Sequence, residues 1–466
     1  MKRLVHYIFA AIAFMAINAS SCQKIDNPED SNDPEATIKK DLRDEIFGIY
    51  YYWSEDVLEK NQKVELEKYD IYDCFDKFLY SKDRWSWMCD KDYYTQTETG
   101  VYTGTWGVSI GQPHEYFSSF AIYIKYIFPG SPFEKYGVTR GAQMTHIGGK
   151  SIEEPFTQDK LELYNEEIDK TTQTFTFRLA NGKDTTFTAT KAMSLATRSE
   201  LSIQIFDSED FEGLNEPVGY FNYLTYNQNM TGDIDNAITA FRNAGIKKAI
   251  IDLRYNGGGS SIASDKLINS LAPASAEGKV YVKRVHNKLL AENDYDEESK
   301  IKRTAESLEL DRIYFITGEG SASASEMTIN GLKPLTNVIC VGDTTYGKPN
   351  GMYVMYYPND KSSRKRFNEG DFDGLKYVYL PICFYNMNGN NEQIPDNGMI
   401  PNHYCPDDLF HDFNAEEANI RACLTHIVTG SFPSLPPKTK SNIGYGVRLL
   451  DECETDPHYG LYKVNL

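Results

Sequence analysis

No H-E-x-x-H pairing occurs among the eight histidines, and none of the eight cysteines belongs to a C-x-x-C pair. The common zinc-ligand spacings are therefore missing, which removes a metal centre of that kind from consideration. Positive charge is also in short supply. The chain has 48 lysines and arginines against 67 aspartates and glutamates, a formal net charge of −19. A surface of that sign repels a phosphate backbone and excludes nucleic acid as the main partner. Beyond the extreme N-terminus no apolar run is long enough to cross a bilayer, and no internal repeat is evident. Aromatic side chains are plentiful: 33 Tyr, 24 Phe and 4 Trp, enough to fill several hydrophobic cores. With 466 residues, 41% hydrophobic and 25% charged, the chain is expected to be globular and to hold two or three domains.

The N-terminus has its own pattern. Lys2 and Arg3 precede an apolar run from Tyr7 to Ile17, too short for a mature membrane-spanning helix, and Ala19-Ser20-Ser21-Cys22 follows. This resembles a bacterial lipoprotein signal. The resemblance implies a signal peptide over 1–21, lipid on Cys22 as the membrane anchor, and an exported protein at the outer membrane, on its periplasmic or surface face. Residues 22–36 are polar, acidic and proline-bearing, and read as a flexible tether. Seven cysteines then remain, an odd number; export permits disulfides, but the sequence assigns none.

Three further segments follow. Residues 37–95 read as a helical N-terminal cap, with Ile38, Leu42, Ile46 and Ile49 at helical spacing. Residues 96–192 change to glycine turns and alternating strands, with a hairpin around Asn181-Gly182. The order of these turns resembles a PDZ domain, which implies peptide binding by strand addition. In that resemblance the loop Gly104, Thr105, Trp106 and Gly107 is the cradle for a peptide carboxylate. Residues 193–430 alternate strands and helices, with strands expected at 218–224, 248–254, 312–317 and 337–342, and this order implies a parallel sheet with crossover helices. Residues 431–466 form a C-terminal tail. The fold class is thus multidomain α+β: a helical cap, a PDZ-like β-domain, and an α/β core with a parallel-containing sheet.

Two stretches carry the chemistry. Gly320-Ser321-Ala322-Ser323-Ala324-Ser325-Glu326 follows one expected strand and opens a helix. Small residues permit a tight turn, and free N–H groups at a helix start favour developing negative charge, so Ser323 is a candidate nucleophile. The next strand leads into Asp343-Thr344-Thr345-Tyr346-Gly347-Lys348. Adjacent parallel strands end on the same side, so this loop can deliver Lys348 to Ser323. A lysine acting as base must be neutral, and burial favours that form. Gly342-x4-Gly347-Lys348 also matches most of a phosphate-binding loop. Pro349, however, stands where that loop needs Ser or Thr, and Pro349-Asn350-Gly351 reads as a turn rather than a helix start.

The blocks DLRYNGGGS, GSASASE and GDTTYGKP together resemble the C-terminal processing, or tail-specific, serine peptidases over roughly residues 40–430. The resemblance implies a core of the ClpP/crotonase-like type and a serine endopeptidase that cleaves polypeptides near their C-termini. Its nucleophile would be Ser323, three residues before the glutamate, and its general base Lys348, 25 residues later. Oxyanion donors would be the backbone N–H of Ala324 and of Gly258 or Gly259, between which the sequence does not choose. No metal or nucleotide cofactor is implied, and the partners are polypeptide C-termini presented by the PDZ-like region. One position departs from the family: many members carry glutamine four residues after the lysine, where this chain has Met352, which has no amide to offer. That departure favours the alternative, a lipid-anchored, non-catalytic peptide- or glycan-binding protein on a degenerate scaffold.

Overall fold

The computed structural model describes residues 35–113, 121–153 and 158–434, together with the short strand Val447–Arg448. The leader, Cys22 and nearly all of the tether lie outside the described residues, as does most of the 431–466 tail. Packing divides the chain into two compact units: residues up to Lys91 with Arg284–Glu297 and Asn350–Tyr385, and Asp92–Lys283 with Glu298–Pro349 and the segment from Asn386 onward.

The first unit is led by helices Ala36–Ile49, Glu55–Gln62 and Ile71–Phe78. Ile38, Leu42, Ile46 and Ile49 are all buried, as the three-and-four spacing requires. Ser54 and Asp70 cap the second and third helices by accepting the Val57 and Asp73 N–H groups. The sequence gives no sign of the strand Trp87–Asp90, because its antiparallel partner, Tyr377–Leu380, lies far along the chain. No helix among the described residues is long and apolar enough to cross a membrane.

Two large sheets make up most of the second unit. One is antiparallel, in the order Val108–Pro113, Ile122–Ile127, Gln143–Ile147, Thr172–Arg178, Asp184–Thr190, with Val447–Arg448 paired outside the first strand. Phe133, Phe175, Phe177 and Phe187 fill its core. The other has six strands in the order Glu200–Phe206, Val218–Tyr223, Lys248–Asp252, Arg312–Thr317, Val338–Gly342, His403–Tyr404. Its first pair is antiparallel and every later pair parallel. Helices Gly232–Asn243, Ser261–Leu271 and Ala324–Leu332 supply crossovers, and their apolar faces meet Ile251, Ile313 and Phe315 in one core. The opposite face packs Tyr220, Ile250, Tyr314 and Ile316 against helix Ala418–Thr429. The six described cysteines are all buried and free, so no disulfide forms among the described residues.

Candidate active site

Strands Lys248–Asp252 and Arg312–Thr317 are parallel neighbours, with Asp252 opposite Ile316. The glycine turn after one strand therefore meets the serine run after the other. Three serines alternate in that run, and the structure separates them. Ser321 Oγ donates to the Leu253 carbonyl at 2.7 Å, and Ser325 Oγ to the Asn256 carbonyl at 2.8 Å. Both are fully buried, whereas Ser323 is partly exposed. Ser323 caps helix Ala324–Leu332 with φ 53° and ψ −110°. A non-glycine residue held there is strained by about 1–3 kcal/mol, a mark of the sharp strand-to-helix turns that project a nucleophile.

The glycine turn explains its own composition. A Cβ on Gly258 would lie 2.9 Å from Ser323 Cβ, 2.9 Å from the Ala322 carbonyl oxygen and 3.0 Å from the Ala324 nitrogen. The two candidate oxyanion glycines are not equivalent. The Gly258 N–H already donates to Asn256 Oδ1 at 2.9 Å, while among the described residues the Gly259 and Ala324 N–H groups have no acceptor. Gly258 thus supplies space beside the serine, and its amide is already engaged.

Glu326 ties the serine turn to the lysine loop. Fully buried, it accepts the Ser323 N–H at 3.0 Å and the Lys348 N–H at 2.8 Å through Oε2. Its Oε1 accepts the Gly347 N–H at 2.8 Å and the Thr345 hydroxyl. Two donors on one oxygen place the Ser323 and Lys348 backbone nitrogens at most about 6 Å apart, the sum of the two bonds. These are ties between backbones, and they fix where both side chains begin. The Tyr346 N–H adds a further bond to the Ser321 carbonyl at 2.9 Å. Lys348 itself is 2% exposed. Burial raises the Glu326 pKa above the ordinary carboxylate value, and the four donors only partly offset that.

A second buried cluster lies under the glycine turn. Arg254 makes paired bonds to Asp252 and to Glu417 and a bond to Asp407 at 2.7 Å. Asp407 also receives Arg140 at 2.9 Å and the Tyr255 hydroxyl. Arg140 comes from the antiparallel-sheet region and further donates to the carbonyls of Lys125, Asp408 and His411. Burial alone would raise the Asp407 pKa, but Arg140 and Arg254 hold it down at about 2.

In the loop from Gly104 to Gly107, the Thr105 N–H donates to Ala192 and the Gly107 N–H to Thr105 Oγ1. Among the described residues, the Gly104 and Trp106 amides have no acceptor. The Trp106 ring is a core element: it packs on Phe133 and Phe175 and donates from Nε1 to the Ile168 carbonyl. Its indole is therefore unavailable to a peptide, and only its backbone faces the role expected from sequence. Met352 sits in the strand Asn350–Met352 of the first unit. Sequence reasoning used Glu326 only as a landmark and missed Arg140, Asp407 and Glu417. A buried glutamate in the run S-A-S-E had one available signal, the S-x-x-E capping spacing.

A parallel-sheet core with a strained serine at a helix start, backed by small-residue and glycine turns, defines a scaffold of the serine-hydrolase class. Residues 217–366 match the model of peptidase family S41. A "Probable CtpA-like serine protease" of Staphylococcus aureus (strain N315) is 26% identical over 353 residues, covering 74% of this chain and 62% of the relative. A protein of the same name from Staphylococcus saprophyticus is 25% identical over 220 residues, covering 47% of this chain and 40% of the relative. The chain thus spans about three fifths of the first of these relatives. The fold is similar to the crystal structure of a "Putative S41 protease" from Bacteroides fragilis NCTC 9343, with TM-score 0.62 and 17% identity, covering 84% of this chain and 97% of the other.

Proposed function

We propose that the chain is a serine endopeptidase that cleaves polypeptides near their C-termini. The observation that carries this reading is the strained Ser323 turn and the Lys348 loop meeting on one buried carboxylate. Neutral Lys348 takes the proton from Ser323, whose oxygen attacks the peptide carbonyl. The Ala324 and Gly259 N–H groups, which have no other acceptor among the described residues, receive the oxyanion. The lysine ammonium then protonates the leaving amine, and water releases the acyl group. The PDZ-like region presents the substrate tail along its sheet edge, and lipid on Cys22 anchors the protein at the outer membrane.

Peptide cleavage tests this directly. Ser323→Ala and Lys348→Ala each lower turnover by roughly 10³-fold or more and to similar extents, because the pair works as a unit. Wild-type turnover rises with pH as the amine deprotonates. Unchanged cleavage by Ser323→Ala would refute the nucleophile assignment, and no cleavage by the wild type would leave the non-catalytic binding protein, the reading that Met352 favours.

A further inference from the structure

We propose that Glu326 is a positioning residue that holds nucleophile and base in register, and that it does so only as a carboxylate. The proposal rests on the Ser323–Lys348 reading and adds a third ionisation to it.

Among the described residues the two oxygens of Glu326 have four partners, and every partner is a donor. Three are backbone N–H groups, those of Ser323, Gly347 and Lys348. The fourth is the Thr345 hydroxyl, whose oxygen already accepts the Met399 N–H at 2.7 Å and so directs its own hydrogen to Glu326. An ionised carboxylate satisfies all four. A protonated carboxyl brings a fifth hydrogen into the cluster; the Thr345 oxygen, which keeps one lone pair beside the Met399 N–H, can take it only by turning its own hydrogen away from Glu326, so at least one of the four donors loses its acceptor. If the proton sits on Oε2, the lost tie is to the serine turn or to the lysine backbone. If it sits on Oε1, the tie to the Gly347 N–H or to the Thr345 hydroxyl is weakened. The Ser323 torsion makes the first loss costly in function: its positive φ persists only while the surroundings impose it.

The consequence is a pH dependence with two independent requirements. Lys348 must lose a proton and Glu326 must keep none. Burial moves the Glu326 titration above the ordinary carboxylate range, so the second requirement enters before general acid unfolding. On the acid side, the kcat profile first falls with a slope of one proton and then steepens to two.

Glu326→Gln tests the assignment with almost no change of shape. Whichever way the amide is turned, its NH2 faces a backbone N–H. Expected are a 10- to 100-fold fall in kcat, a KM within twofold of wild type, and an acid limb returned to a slope of one. A purely structural role would instead lower the amount of folded enzyme and leave the profile of the folded fraction unchanged. Thr345→Val removes one donor and spares the Ser323 and Lys348 ties, so its kcat falls only severalfold. A Glu326→Gln kcat within twofold of wild type, or an acid limb identical in both, overturns the proposal. If Glu326→Gln does not fold, the wild-type profile decides, and a slope of one proton throughout the acid range overturns it. Failure of the underlying reading looks different: Ser323→Ala would then cleave as fast as wild type, whatever Glu326→Gln does.

Discussion

Two carboxylates of the second unit, Asp407, largely buried, and Glu326, fully buried, are kept there by different means. Asp407 sits between two guanidinium groups, those of Arg140 and Arg254, and its pKa is held at about 2. Among the described residues Glu326 has no cation as a hydrogen-bond partner, only three amides and a hydroxyl, and its pKa is raised by burial. The first arrangement converts a buried charge into stability. The second retains a buried charge at a cost and obtains geometry in return. Full compensation by opposite charge fixes a domain, whereas compensation by directed N–H groups fixes the atoms next to a reaction.

The largest break in this contrast should come from Arg254. Arg254→Met leaves Asp252, Asp407 and Glu417 buried with much of their compensation gone, and the unfolding free energy in urea should fall by about 3–5 kcal/mol. Glu326→Gln should cost about 1 kcal/mol or less by the same measurement, because a lost hydrogen bond is offset by removal of a buried charge. Acid titration sharpens the contrast next. Asp407 has a depressed folded pKa, so its contribution is present above the ordinary value of 3.8 and is lost as pH falls through about 2. That step is worth about 2 kcal/mol and should disappear in Asp407→Asn. Glu326 has the opposite sign: its raised pKa lowers stability at neutral pH, and acidification relieves that penalty. Turnover should therefore be lost on acidification while the near-ultraviolet circular dichroism remains native. A comparably small loss of about 1 kcal/mol should come from Tyr255→Phe, which removes one of the bonds to Asp407.

Much of the second unit was legible in the sequence because its signals are local. The apolar runs at 248–252 and 312–317 are continuous, and each ends in glycine or small residues, so strand and turn announce each other. Ser323 stands at the second of those turns, and Lys348 follows the next strand, Val338–Gly342. What was hidden depends on distant partners. Arg140 and Asp407 lie far apart in the chain, and neither is flanked by a pattern that foretells burial. Trp106 reads as a loop residue because glycine lies on both sides, yet its ring faces a phenylalanine core assembled from later strands. The first unit is drawn from three separated segments, so no window of sequence contains it. The difference between the Gly258 and Gly259 amides rests on one side-chain bond to Asn256, which spacing cannot reveal.

The torsion at residue 323 has an implication for how this chain is maintained. Glycine would adopt φ 53° without strain, and a protein with no use for a hydroxyl at that corner would gain by drifting to it. Drift of that kind is cheap and needs few mutational steps. On the proposed reading, serine persists at this strained corner because selection for its oxygen outweighs selection for ease of folding.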